Sequence, residues 1–183
     1  LESFSQTKVE DIEFELTELN FEGNESFDKT ALSAIILNKQ TPFWGFKFLN
    51  SISSSIGIPP SYFDSNLVVT DKKVLRDFYQ DNGFFQVEIF SEYSLDTLDE
   101  SAILTYKINE NKSCDFGIFQ VDGLTDIDED VRAKVLQRID IDSTQRFTAL
   151  RVERIKNSML TILKDNGYML ADITTPVVTI DTA

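Results

Sequence analysis

Apolar and polar positions alternate at the start of the chain. Ile12, Phe14 and Leu16 are spaced by two between acids, and after a one-residue slip Leu19 and Phe21 resume the alternation. Period two predicts a half-buried strand, and the slip predicts a β-bulge or a break into two short strands. Gly23-Asn24 ends it with turn chemistry. Ala31, Leu32, Ile35 and Ile36 then fall at helical spacing, with Ser26 or Asp28 as the cap. The rhythm breaks over residues 41–69, where aromatic Thr41–Phe48, small polar Ser51–Ser55 and rigid Ile58-Pro59-Pro60 follow one another. A second helix is predicted from about Asp71, with Val74, Leu75, Phe78 and Tyr79 on one face and Asn82-Gly83 as its stop. Phe85, Val87 and Ile89 alternate as a strand. An acidic turn at 95–100 leads to the alternating Ala102, Leu104, Tyr106 and Ile108, a hairpin.

The same order then returns. Phe21-Glu22-Gly23-Asn24 with Phe27-Asp28 recurs as Val121-Asp122-Gly123-Leu124 with Ile127-Asp128, and Asp81-Asn82-Gly83-Phe84 recurs as Asp165-Asn166-Gly167-Tyr168. The first pair is offset by 100 residues and the second by 84, so the first copy carries about 16 extra residues between its signatures. In the second copy, Phe119 and Val121 predict a strand. Val131, Val135, Leu136 and Ile139 predict a helix capped by Thr125, or by Asp126 with Glu129. Val152, Ile155, Met159 and Ile162 predict a second helix, and residues 168–180 a further strand that Pro176 marks as an edge or a bend. A third strand of this copy is missing unless Val177–Asp181 supplies it; the expectation is that the chain ends inside the repeat. The boundary is placed at 109–112, giving unit one over 9–111, with its insertion at 41–69, and unit two over 112–183.

Composition narrows the functions. The 183 residues carry a net charge of −14, which argues against nucleic acid and against anionic lipid headgroups. There is no His, so a His base, a His triad and most zinc sites are excluded. Cys114 is alone and forms no intrachain disulfide; it reads as a small half-buried residue at a strand entry. No stretch approaches the roughly 18–20 apolar residues of a membrane helix. The sequence opens at Leu1 without Met or a charged n-region and reads as a processed or excised fragment.

Candidate chemistry is sparse. The acids from Asp122 to Asp130 lack the ligand order of a calcium loop and suit a helix N-terminus instead. Acid pairs such as Asp140 with Asp142, or Glu13 with Glu15, have the spacing of an ordinary exposed face. No catalytic residue, cofactor or metal is therefore expected. Gly23, Gly83, Gly123 and Gly167 read as structural turns and helix stops.

In their order and spacing, Phe21–Phe27, Asp71–Phe84 and Leu104–Glu110, together with Val121-Asp122-Gly123 and Asn166-Gly167-Tyr168, resemble tandem POTRA (polypeptide-transport-associated) domains. These belong to outer-membrane barrel-assembly proteins of the BamA and TamA superfamily. Gly123-Leu124 departs from the family's Gly-Asn turn. The 41–69 insertion leans toward TamA-like or phylum-specific members. The resemblance implies an α+β fold of two tandem units, each β-α-α-β-β, with a three-stranded mixed sheet covered by two helices on one face.

It also implies a non-enzymatic region on the periplasmic side of the bacterial outer membrane, attached to its own C-terminal β-barrel. Its partners would be unfolded outer-membrane proteins and accessory periplasmic or lipoprotein subunits. The rival readings are a two-partner secretion transporter, a cell-division scaffold and an α+β enzyme. If the family's sheet order holds, the strand Phe85, Gln86, Val87, Glu88, Ile89, Phe90 is an open edge. That edge either accepts client strands or is guarded from pairing by Glu88 and Glu92. Phe43, Trp44, Phe46 and Phe48 either extend the core or form a docking patch.

Overall fold

The first strand follows from the slip in the alternation. The computed structural model describes residues 13–42, 59–139 and 141–181. In it β1 (Glu15–Glu22) is one strand whose register against its neighbour shifts between Leu16 and Glu18. Thr17 is the extra residue of a bulge, so Leu16 and Leu19 both turn inward and are buried. Helix α1 (Lys29–Ile35) begins at Asp28, whose Oδ1 accepts from the Ala31 N–H at 2.8 Å. Helix α2 (Ser65–Asp81) is followed by β2 (Glu88–Asp96) and β3 (Ser101–Asn109). The sheet order is β1-β3-β2, with β1 and β3 parallel. The short 97–100 connection, with Glu100 at φ 48°, leaves only an antiparallel β2/β3 pair, so the sheet is mixed.

Ala102, Leu104, Tyr106 and Ile108 of β3 are buried. Helix α2 meets this face through a polar contact. Its buried stripe is Val68, Asp71, Leu75 and Tyr79. The Asp71 carboxylate accepts from the Leu37 N–H (2.5 Å), the Asn38 N–H (3.1 Å), Asn38 Nδ2 (2.8 Å) and the Tyr106 hydroxyl (2.9 Å). Asn38 is equally buried and exchanges hydrogen bonds with the backbone of Asp64. One carboxylate thus ties the exit of α1, helix α2 and the central strand together.

Burial and the adjacent Asp71 hold the Tyr106 hydroxyl far above the ordinary tyrosine range, as burial and Glu110 do for Tyr79. A pKa raised in the folded state gives stability that is fully present below the unfolded value, near ~10, and is lost as pH rises beyond it. Ultraviolet titration should therefore show Tyr79 and Tyr106 ionising only together with loss of circular dichroism. Tyr106→Phe and Tyr79→Phe should each flatten the alkaline fall in stability; an unchanged alkaline profile in both variants contradicts this.

The chain divides into two compact units: residues up to Leu75 with Ile89–Asn109, and Arg76–Glu88 with residues from Glu110 onward. In the second unit, α3 (Glu129–Gln137) and α4 (Ala149–Asp165) bury Val131, Val135, Ile155, Met159 and Leu163 in one cluster. Phe116, Phe147 and Val152 form another, with Phe85 packed on it.

Several expectations are corrected. Helix α2 starts at Ser65 rather than Asp71, because Asp64 accepts from the Asn66 N–H and opens the helix earlier. The N-cap of α3 is Asp128, without a side-chain cap bond, and not Thr125 or Asp126. Neither Phe119–Val121 nor residues 168–180 form a strand or bridge. Their apolar side chains Phe119, Val121, Tyr168, Ala171 and Ile173 pack on the α3/α4 cluster without a hydrogen-bonded ladder. Among the described residues, the only pairing in this unit is the isolated bridge between Asp115 and Arg146.

Candidate functional site

A three-stranded sheet has two edges, and local sequence treats them differently. Along the start of β1, the Leu16 N–H donates to Ser61 O (2.8 Å), the Phe63 N–H to Phe14 O (2.8 Å) and the Thr41 N–H to Leu16 O (2.7 Å). Tyr62 forms an antiparallel bridge with Glu15. The flanks of the 41–69 insertion therefore close that stretch of the β1 edge. On the other side β2 is terminal, and no strand lies beyond it among the described residues.

The β2 surface is amphipathic in an unusual way. Ile89 is buried, whereas Phe90, Tyr93 and Leu95 are exposed, as is Leu98 in the connection that follows. Phe63 lies against Tyr93 with ring centroids 4.8 Å apart. Lys107 of β3 pairs with Glu92 of β2 at 2.6 Å, and its hydrogen bond to Glu92 raises the Lys107 pKa. An exposed pair of this kind adds little stability. Its effect is to engage Glu92 in a cross-strand pair, and Glu92 is one of the two acids expected to guard the edge.

The expected edge residues split. Glu88, Ile89 and Phe90 lie in β2, but Phe85, Gln86 and Val87 precede it. Phe85 stacks toward Phe147 at 5.2 Å, Gln86 O accepts from Asn111 Nδ2 at 2.7 Å, and the Val87 N–H turns back to Phe84 O. The strand instead continues to Asp96, taking in Leu95 and Asp96 of the expected acidic turn. Their alternation is broken by Ser and acid, which hid them. Phe43, Trp44, Phe46 and Phe48 lie outside the described residues, as does Asp140.

The glycines separate into two kinds. All four have positive φ. A Cβ on Gly23 would fall onto the backbone oxygen of Ile108, and one on Gly83 would lie 2.8 Å from Phe147 O; at Gly123 and Gly167 it would meet nothing within 4 Å. The helix stops are the same in both copies. The N–H groups of Gly83 and Phe84 return to Gln80 O and Tyr79 O, and those of Gly167 and Tyr168 to Lys164 O and Leu163 O, the Schellman arrangement. Asn82 and Asn166 each donate to the carbonyl four residues back at 2.8 Å.

Among the described residues, no cluster of three acidic or Cys side chains could hold a metal ion, and no helix is long and apolar enough to cross a membrane. The arrangement offers backbone pairing and apolar contact.

Comparison with known proteins bears on the first copy of the motifs. The family model described as POTRA, surface antigen variable number repeat, matches residues 4–111. The outer membrane protein assembly factor BamA of Neorickettsia risticii (strain Illinois) is 23% identical over 160 residues. That match covers 85% of this chain, which spans 19% of the relative's length. The crystal structure of Haemophilus influenzae BamA POTRA3-5 aligns with 85% of this chain and 56% of that one, at 17% identity and a TM-score of 0.43.

Proposed function

The chain belongs to the POTRA family of surface antigen variable number repeats, and from that premise we propose that it is the periplasmic POTRA region of an outer-membrane β-barrel assembly factor. It comprises two tandem units, 9–111 and 112–183. It receives unfolded outer-membrane proteins and docks accessory subunits of the assembly machinery, while the full-length protein is held in the outer membrane by a barrel. The region is a binding module and not an enzyme.

The observation that carries this reading is the asymmetry of the sheet edges. The start of the β1 edge is occupied by residues 61–63, and β2 stands at the other side of the sheet. An extended client strand added along β2 would gain main-chain hydrogen bonds that demand little of its sequence, as a receptor for many unfolded barrels requires. Exposed Phe90, Tyr93 and Leu95 offer apolar contact to the side chains of such a strand.

Neighbouring N–H groups of a strand point to opposite sides, so proline at Phe90 and at Ser91 removes one donor toward β3 and one toward the open side. One variant should lose stability. The other should keep its melting temperature yet bind a fluorescent peptide from an unfolded outer-membrane barrel about tenfold more weakly, as expected for one or two lost backbone bonds. Unchanged affinity in the stable variant rejects the β2 edge as the receptor.

A further inference from the structure

The tripeptide Asp-Asn-Gly occurs as Asp81-Asn82-Gly83 and again as Asp165-Asn166-Gly167, and each copy ends a 17-residue helix. Asn-Gly is chemically labile. The backbone nitrogen of the Gly can attack the side-chain carbonyl carbon of the Asn before it, because Gly has no Cβ to obstruct the approach. In the folded chain both copies are held back from this step in the same way. The N–H groups of Gly83 and Gly167 donate to Gln80 O (3.0 Å) and Lys164 O (3.2 Å). The side chains of Asn82 and Asn166 are tethered to Phe78 O and Ile162 O. Reaction therefore waits for the helix stop to open, and its rate follows how often the stop opens.

The surroundings of the two stops differ. Gly83 and Phe84 are buried and Asn82 is half-buried. The Cys114 N–H donates to Gly83 O at 2.8 Å. The Phe84 ring meets Tyr79 edge-on at 5.7 Å and lies 5.1 Å from the Arg146 guanidinium carbon. Opening this stop breaks all of these contacts together. Asn166 and Gly167, by contrast, are exposed, and Tyr168 is only half-buried. The bonds around them, from the Asp128 N–H to the Tyr168 hydroxyl (2.9 Å) and from Lys134 Nζ to Asn166 Oδ1 (3.2 Å), are exposed too, so water replaces them at little cost. The Lys134 ammonium also draws electron density from the carbon that is attacked.

We propose that Asn166 is a site of spontaneous deamidation, and that Asn82, within the same tripeptide, is protected by its packing. The Gly167 nitrogen loses its proton and bonds to Asn166 Cγ. The Cγ–Nδ2 bond breaks and Nδ2 leaves as ammonia, giving a cyclic succinimide. Water then opens the ring at either carbonyl, to aspartate or to an isoaspartate whose side chain has become part of the backbone. Water is the only co-reactant, and nothing is oxidised or reduced. The product lacks the donor to Ile162 O. It also sets a carboxylate beside Asp165 at the C-terminal end of α4, where the helix dipole disfavours negative charge. The reaction is thus a slow, irreversible loosening of the α4 stop, and it is independent of the β2 edge.

The test ages the 183-residue chain in mildly alkaline buffer, folded in one arm and unfolded in guanidinium chloride in the other. Peptide mapping by mass spectrometry, with electron-transfer fragmentation to tell isoaspartate from aspartate, follows both sites. Unfolded, Asn82 and Asn166 should convert at similar rates. Folded, Asn166 should convert about tenfold or more faster than Asn82. Asn166→Asp should speed amide exchange at Asn166–Tyr168 about threefold or more and leave Asn82–Phe84 unchanged. Comparable rates at the two sites in the folded chain overturn the proposal, as does a folded chain unmodified at Asn166 over a period in which the unfolded chain converts. An equally large preference for Asn166 in the unfolded chain also overturns it, because the difference then does not come from packing. Unchanged exchange in Asn166→Asp overturns the loosening of the stop.

Discussion

Asp71→Ala is expected to lower the stability of the first unit by about 4 kcal/mol, the largest effect of any single substitution among the described residues. The carboxylate accepts from four donors, the N–H groups of Leu37 and Asn38, Asn38 Nδ2 and the Tyr106 hydroxyl, and both Asp71 and Asn38 are sealed from solvent. A buried donor left without an acceptor costs about 1–3 kcal/mol, and partial rearrangement keeps the total below the full sum. Asp71→Asn keeps the shape but turns an amide group toward donors, so it should lose about 2 kcal/mol. Tyr106→Phe removes a single donor and should lose about 1 kcal/mol. Urea unfolding of the three variants, read through the exchange rates of the Leu19 and Leu104 amides, should rank them in that order. A loss below about 1 kcal/mol for Asp71→Ala contradicts the view that this carboxylate ties the helices to the sheet.

Gly23→Ala should cost about 3 kcal/mol, against about 1 kcal/mol for Gly123→Ala. Both residues sit at positive φ, near 80°, where a Cβ is strained whatever surrounds it. The difference lies in the neighbours. At Gly23 the new methyl would displace the backbone of Ile108 and so disturb the β1/β3 pairing; at Gly123 it enters open space. Thermal melts of the two variants compare one motif in two surroundings. Equal losses would mean that the turn conformation alone explains the repeated glycine.

Much of this was legible from periodicity. The slip between Leu16 and Leu19 became a bulge, the alternation from Ala102 to Ile108 became the central strand, and both Asn-Gly stops close their helices in the same way. The family resemblance holds through the match over residues 4–111. The misses have physical causes. Asp71 looked like a helix start because an acid is unusual in a buried stripe, and only the donors of Leu37, Asn38 and Tyr106 make that burial tolerable. Phe85 and Val87 alternate like a strand, yet Phe85 is drawn to Phe147 and Val87 closes a turn on Phe84. The strands expected at 119–121 and 168–180 have the right apolar spacing, but a ladder also needs a partner strand beside them. Periodicity reports which side chains are buried; it does not report whether a ladder forms. The candidate edge was legible only in part, since β2 is shifted toward the hairpin turn and its far half mixes Ser, acid and aromatic residues.

The most direct test of the central claim is amide hydrogen exchange of the 183-residue chain with and without a peptide from an unfolded outer-membrane barrel. The edge reading predicts new protection at alternate amides along Glu88–Asp96, with β1 unchanged. Protection that avoids β2, or that appears along β1 instead, would contradict it.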